Sequence, residues 1–358
     1  MRVKFTKAAA CTGAIATTVA AGLGFAPAAM ASSDFTAVPC SSAALVTDLT
    51  DATSGSTLLL APFCTYTVAA SLPVIDDSLV IVGDRSTIAR SFAVHTPDFT
   101  ILRVSTTGEV VLKDVNFVNG DAGKMDDGIL RAIQPAGDVP ADIVFNDGGA
   151  IDNAGHLTII GGVFRGNAAT NDGGAIYNTG SLRVNGALFT SNTAEYGAGI
   201  ANVADLAGSE DTFEENVAGN YGGGIYSDAG RLALASSGIY DNRAAYGGGL
   251  YTDSAATVSH DTFKANSASG DGGAIDNRGD LSLTYAALST NRAAFVAGGI
   301  YNSAGTTAIS FSLINRNIAR EGGGGIYNNT TVTLASTLIF TNQPDNCEPL
   351  GSVTGCRG

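Results

Sequence analysis

A beat of about 25 residues runs through most of this chain. A hydrophobic residue that follows a Gly-rich step falls at Ile151, Ile176, Ile200, Ile225, Leu250, Ile275, Ile300 and Ile326, with spacings of 25, 24, 25, 25, 25, 25 and 26. A second marker, apolar-x-x-Asn, keeps the same beat. Its apolar member is Phe164, Phe189, Phe213, Ile239, Phe263, Leu288, Ile314 and Ile339, and its Asn is Asn167, Asn192, Asn216, Asn242, Asn266, Asn291, Asn317 and Asn342. Eight units at a fixed period restrict the chain to a solenoid, in which each unit stacks only on its neighbours.

Helical repeats space apolar residues by three and four and are poor in Gly. This chain carries 46 Gly, and each unit holds short alternating runs instead. One run is Ile-Tyr-Asn, as at Ile176-Tyr177-Asn178. A second is apolar-x-apolar, as at Leu182-x-Val184 and Leu232-x-Leu234. A third leads into Phe-x-x-Asn. Three short strands joined by Gly-containing turns predict an all-β fold, a single right-handed parallel β-helix with one triangular coil per repeat. Equivalent residues then form columns about 4.8 Å apart. Ile stacks inward on Ile. Two residues on, Asn153, Asn178, Asn202, Asn277, Asn302 and Asn328 share that face, with Ser227 and Thr252 substituting, and side-chain amides can bond along such a column. The glycines lack the strict every-third-residue period of collagen.

The ends are irregular. Arg2, Lys4 and Lys7 precede an apolar stretch from Ala8 to Ala28 and an Ala29-Met30-Ala31 cleavage site, so residues 1–31 read as a secretory signal peptide. Cys11 falls inside that peptide. Once it is removed, no remaining run is long enough to span a membrane, and the expected location is secreted or extracellular. Cys40, Cys64, Cys347 and Cys356 remain. Their even number in an exported chain predicts disulfides, and of the three pairings their positions near the two ends favour Cys40–Cys64 and Cys347–Cys356. Residues 32–60, with Leu45, Leu49 and Leu58–Leu60, read as an N-terminal cap of helix then strand. Residues 61–119 read as irregular first coils, with strand-like runs at 79–83, 100–104 and 110–117. Residues 120–147 are an insert or a degenerate coil around Gly128-Ile129, 148–342 are the regular repeats, and 343–358 form a disulfide tail.

The paired motifs Gly-Gly-Ala-Ile (Gly173 to Ile176, Gly272 to Ile275) and Phe-x-x-Asn resemble the repeat of the polymorphic outer-membrane proteins. More broadly they resemble exported β-helix proteins with a pectate-lyase-like fold. The resemblance covers about residues 145–342, and the stretch from Cys40 looks like the opening of such exported proteins. It implies an adhesin-like or surface role. The broader fold also hosts polysaccharide lyases and glycoside hydrolases, so fold does not decide function. With 16 residues after Asn342, anchoring through a C-terminal membrane barrel is not expected.

The net charge of −14 disfavours nucleic acid as a partner and favours a neutral or cationic ligand. Two clusters are candidate sites. Asp147 and Asp172 precede Gly-Gly in successive units and Asp152 follows Ile151, a carboxylate group suited to Ca²⁺. Asp126 and Asp127 would join it, with Lys124, Arg131 or Arg165 as the basic group of a lyase; solvated turn carboxylates are the plainer reading. No cofactor other than Ca²⁺ is implied. The histidines His95, His156 and His260 are scattered, and His260 shares a column with Glu210, Ser236, Tyr285 and Phe311. The second cluster is aromatic. Tyr177, Tyr226, Tyr251, Tyr301 and Tyr327 follow the inward apolar residue and are expected to point outward, and Tyr196, Tyr221 and Tyr246 form a column beside them. The expected product is an accessible Tyr strip that binds a glycan or cell surface, or else ordinary sheet reinforcement. The leading function is therefore non-catalytic binding, with a Ca²⁺-dependent lyase or a hydrolase as the alternative.

Overall fold

The periodic apolar residues become the core. In a computed structural model, residues 35–123 and 147–357 are described; the signal peptide, Cys11, Lys124, Asp126, Asp127, Gly128-Ile129 and Arg131 lie outside them. Leu102 and the eight residues from Ile151 to Ile326 are fully buried and lie in successive register on a ten-stranded sheet. On a second face Phe117, Phe164, Phe189 and Phe213 stack ring on ring at 5.5, 4.9 and 4.7 Å. Among the described residues the strands pair in parallel between neighbouring coils, with one isolated antiparallel bridge between Phe99 and Asp121, so the chain is a parallel β-solenoid.

The six coils that start at Ile151 to Ile275 each hold four short strands where three were expected, and the last two, from Ile300 and Ile326, hold three. One coil runs through Ile176–Asn178, Ser181–Asn185, Leu188–Thr190 and Thr193–Tyr196. The second and third columns belong to one 21-stranded sheet, because the early strands Ser78–Arg90 and Glu109–Val118 run through both. In later coils the chain bends between them at a residue in the left-handed region, such as Ser236 (φ 56°), His260 (φ 63°) or Tyr285 (φ 54°). The fourth column is a seven-stranded sheet of two- to five-residue strands whose inward residues are alanines, among them Ala218, Ala244, Ala268 and Ala293. Alanine at such short runs carries no periodic apolar signal.

Much of the polar interior is organised as hydrogen-bonded columns of side-chain amides. Asn192 shows the pattern: its Oδ1 accepts the backbone N–H and the Nδ2–H of Asn167, and its Nδ2 donates to Phe164 O and to Asn216 Oδ1. The ladder continues to Asn342 and ends on Asn346. The Asn column behind the Ile column also bonds along its length, through Asn153, Asn178 and Asn202, and passes to hydroxyls at Ser227 and Ser254.

The cap forms as expected, with an added strand. Phe35–Val38 pairs with Ser56–Leu60, and helix Ser42–Asp51 buries Leu45 and Leu49 over the end of the core. Ser41 caps the helix by accepting from the Ala44 N–H. Cys40 is bonded to Cys64 and Cys347 to Cys356. The C-terminal segment is more than a tail, since Cys347–Glu348 adds the last strand to the ten-stranded sheet. Strand Ile151–Asn153 pairs directly with Leu102–Val104, and His156–Ile160 with Glu109–Val118. Among the described residues no helix is long and apolar enough to cross a membrane.

Candidate functional site

The ten-stranded sheet presents one outward residue per coil, because the first and third residues of each three-residue strand turn inward. In register these outward residues are Arg103, Asp152, Tyr177, Ala201, Tyr226, Tyr251, Asp276, Tyr301 and Tyr327. Beside them, across the Gly-rich turn, runs the column Asp172, Tyr196, Tyr221, Tyr246. The expected Tyr columns therefore exist and meet.

Tyr221 is the hub. Its ring centroid lies 4.4 Å from that of Tyr251, 5.5 Å from Tyr246, 5.6 Å from Tyr196 and 6.2 Å from Tyr226. Tyr226 also meets Tyr196 and Tyr251, each at 5.5 Å. Most of these pairs are tilted rather than parallel. Tyr177, Tyr196, Tyr221, Tyr226, Tyr246 and Tyr301 are half-buried. Tyr251 does not meet the expectation of an accessible ring: it is 2% exposed, because Tyr221 and Tyr226 pack against it and the Arg278 guanidinium sits 5.3 Å from its ring centre. The accessible part of the strip is its outer column, Tyr196, Tyr221 and Tyr246, together with Tyr177 and Tyr226 beside it. Tyr301 stands apart, paired with Tyr327 at 5.9 Å.

Carboxylates rim the rings. Burial first, then Asp172, Asp147, Asp152 and Asp228, push the Tyr177 phenol up to about 12. Burial and the neighbouring Asp228, Asp172 and Asp253 raise Tyr226 further still. Tyr251 is raised by burial and Asp253, and its hydroxyl donates to Asp253 Oδ2 at 3.3 Å. These phenols stay protonated and act as donors beside carboxylate acceptors. That combination matches the paired donor and acceptor character of sugar hydroxyls.

The acidic candidates divide. Asp147 Oδ1 accepts the Asp172 N–H at 3.0 Å and Asn171 Nδ2 at 3.1 Å, and Asn171 also donates to Asp172 Oδ2 at 2.7 Å. Burial, Asp147 and Asp228 push Asp172 up to about 7. Asp152 instead faces Arg103, with Nε 3.9 Å from Oδ2, and burial raises it to about 6. Among the described residues no three His, Cys, Asp or Glu side chains gather as a metal-holding group. Arg165 lies on the 21-stranded sheet, away from Asp152.

Asp276 and Arg278 were not singled out in the sequence. The only hint was an Asp standing between the Tyr251 and Tyr301 positions of the column. Asp276 is fully buried, and neither of its carboxylate oxygens has a hydrogen-bond partner. Arg278 Nε lies 4.0 Å from Oδ1. Burial pushes this carboxyl up to about 7 although Arg278 pulls it down. His260, Tyr285 and Phe311 form an exposed ladder, stacked at 4.9 and 5.0 Å.

Two stretches, residues 161–179 and 212–228, match the Chlamydia polymorphic membrane protein repeat. Each spans one Phe-x-x-Asn marker and the Gly-rich step after it. The chain thus carries repeats of this type on a parallel β-solenoid. No curated protein sequence matches it.

Proposed function

We propose that this chain is an exported, surface-associated and non-catalytic binding protein, adhesin-like, and that it engages glycans through the Tyr face of the ten-stranded sheet. The observation that carries the reading is the five-ring group Tyr196, Tyr221, Tyr226, Tyr246 and Tyr251, rimmed by Asp172, Asp228 and Asp253. Sheet stability needs β-forming residues on that face, but not aromatic residues concentrated in the middle coils with acceptors around them. The two disulfides suit an oxidising compartment, and the repeat match supports a surface role. The test is retention on insoluble polysaccharides and on cell surfaces by wild type and by a Tyr196→Ala/Tyr221→Ala/Tyr246→Ala variant, which spares buried Tyr251. Wild type is expected to be retained and the folded variant to be lost. No retention of wild type, or equal retention of the variant, refutes the reading.

A second reading, a Ca²⁺-dependent lyase, draws on the raised carboxyls of Asp152 and Asp172 at the end of the same sheet. Unsaturated products released from an acidic polysaccharide with added Ca²⁺, and abolished by Asp172→Asn, would favour it over the binding reading.

A further inference from the structure

The middle of the Tyr face holds a buried carboxyl that no hydrogen bond satisfies. Asp276 takes the outward position between Tyr251 and Tyr301, is fully buried, and accepts no hydrogen bond at either oxygen. Buried carboxylates are normally paired and hydrogen-bonded, so such a group calls for an explanation. The nearby cation engages it loosely. Arg278 is 41% exposed at its side chain, and its Nε stands 4.0 Å from Asp276 Oδ1, beyond hydrogen-bond range. The same guanidinium lies 5.3 Å from the Tyr251 ring centre and 6.0 Å from that of Tyr221. Two aromatic faces, the buried Asp276 and the exposed Asp253 thus surround a position that the protein fills with its own cation. Aromatic rings and a carboxylate around one point form the environment that selects a cationic group.

We propose that Tyr221, Tyr251 and Asp276 form an ammonium subsite for an amino sugar, with Arg278 as the resident cation that swings out to admit the ligand. This rests on the glycan reading above and narrows it to glycans bearing free amines. The sugar ring lies against the half-buried Tyr221 and Tyr246, while its ammonium replaces the guanidinium and donates to the Asp276 oxygens. A compact ammonium with three donors reaches both oxygens, which the present guanidinium does not. Arg278 sits on an exposed side chain directly after the strand, so its release requires no change in the coil.

The chain has no Trp, and eight of its 11 Tyr lie in the two columns of this face, so Tyr emission reports mainly on it. The experiment titrates wild type with chitosan oligomers, with chitin oligomers that differ only in carrying N-acetyl groups, and with oligolysine. Chitosan oligomers are expected to bind about tenfold more tightly than chitin oligomers. Asp276→Asn, which keeps the volume, should erase that preference. Arg278→Ala should bind chitosan oligomers more tightly than wild type, and its lowered melting temperature should be restored by glucosamine but not by N-acetylglucosamine. Equal binding of the two oligomers overturns the subsite and leaves the glycan reading standing. A preference that survives Asp276→Asn overturns the assignment to this pocket. Oligolysine binding as tightly as the chitosan oligomer overturns the requirement for a sugar. Failure of every glycan to bind overturns both proposals.

Discussion

At the scale of single residues, the interior is held by amides as much as by hydrocarbon. Asn242 Oδ1 accepts the Asn216 N–H and Nδ2–H, and its own Nδ2 donates to Phe213 O and Asn266 Oδ1. Asn242→Ala removes all four bonds and leaves the Asn216 N–H and Nδ2–H buried without that acceptor, while Asn266 Oδ1 keeps only the backbone N–H of residue 242. The expected cost is about 3 kcal/mol, against about 1 kcal/mol for Asn346→Ala at the half-buried end of the ladder, where water can substitute. Denaturant unfolding of the two variants checks the difference; equal effects would mean that the ladder is not cooperative. The Gly-rich step divides into two requirements as well. Gly222 has a φ of 63° and a Cβ there would meet the Ile225 carbonyl of its own turn, yet its equivalent Ala297 holds a φ of 60°, so the turn can shift to take alanine and Gly222→Ala should cost only about 1 kcal/mol. Gly223 needs no positive φ. A Cβ there would meet the carbonyl oxygens of Gly248 and Arg243 in the next coil. Alanine is accommodated at the equivalent Ala198, beside a register shift in the neighbouring strand pair. Gly223→Val has no such relief and should cost several kcal/mol and impair export. A Gly223→Val protein melting no lower than Gly222→Ala would contradict this division.

At the scale of elements, the strands with inward Ile, Leu or Phe were legible because period and burial coincide. Leu102, set among irregular coils, still fell inside the expected run at 100–104 and stacks in register on Ile151. The alanine strands were not legible, since Ala168-Ala169 or Ala268 carries no alternation to read. Cys347–Glu348 was read as tail because its strand is only two residues long. At the site, both Tyr columns could be read from spacing. The burial of Tyr251 could not, because it depends on rings and an Arg side chain contributed by other coils. Nor could the isolation of Asp276, since a missing hydrogen bond leaves no trace in sequence. The cap, by contrast, followed from Leu45, Leu49 and Cys40–Cys64, and it gives an element-scale prediction. Replacing both cysteines with Ser removes the constraint on a 24-residue separation, worth about 3 kcal/mol in the chain-entropy model. In a solenoid the stability is a sum of neighbouring interfaces, so the loss should stay local. Hydrogen exchange should quicken at Leu45, Leu58 and Tyr66 while amides around Ile225 keep their protection. Uniform acceleration along the chain would show that the cap and the repeats unfold as one unit.

At the scale of the whole molecule, acid and burial pull against each other. The chain carries a net charge of −14 and places several carboxyls inside its bends and faces. Asp211 and Asp261 share an interior column with Ser237: Asp211 Oδ1 accepts the Ala187 N–H, Ser237 Oγ accepts the Asp211 N–H, and Asp261 Oδ1 accepts the Ser237 N–H. The Oδ2 atoms of both aspartates are left without partners. Burial pushes Asp211 up to about 7 and Asp261 up to about 6, although backbone N–H groups pull both down. A carboxyl whose pKa is higher folded than unfolded binds more protons in the folded state between those two values. Stability must therefore fall as pH rises from about 4 to about 7, and stay at its lower level above that. Asp172 and Asp276, each raised to about 7, and Asp152, raised to about 6, act in the same direction. The melting temperature should accordingly be higher at pH 5 than at pH 8, opposite to a protein whose carboxylates are ion-paired. Relief of general self-repulsion on acidification has the same sign, so the interior term needs its own control. Asp211→Ser/Asp261→Ser places in both coils the residue that Ser237 already provides between them, and the hydroxyl can still accept the N–H of the preceding coil. This variant should melt higher than wild type at pH 8 and equal it near pH 5, flattening the profile. A variant that shifts both ends equally would assign the pH dependence to surface charge rather than to the buried pair.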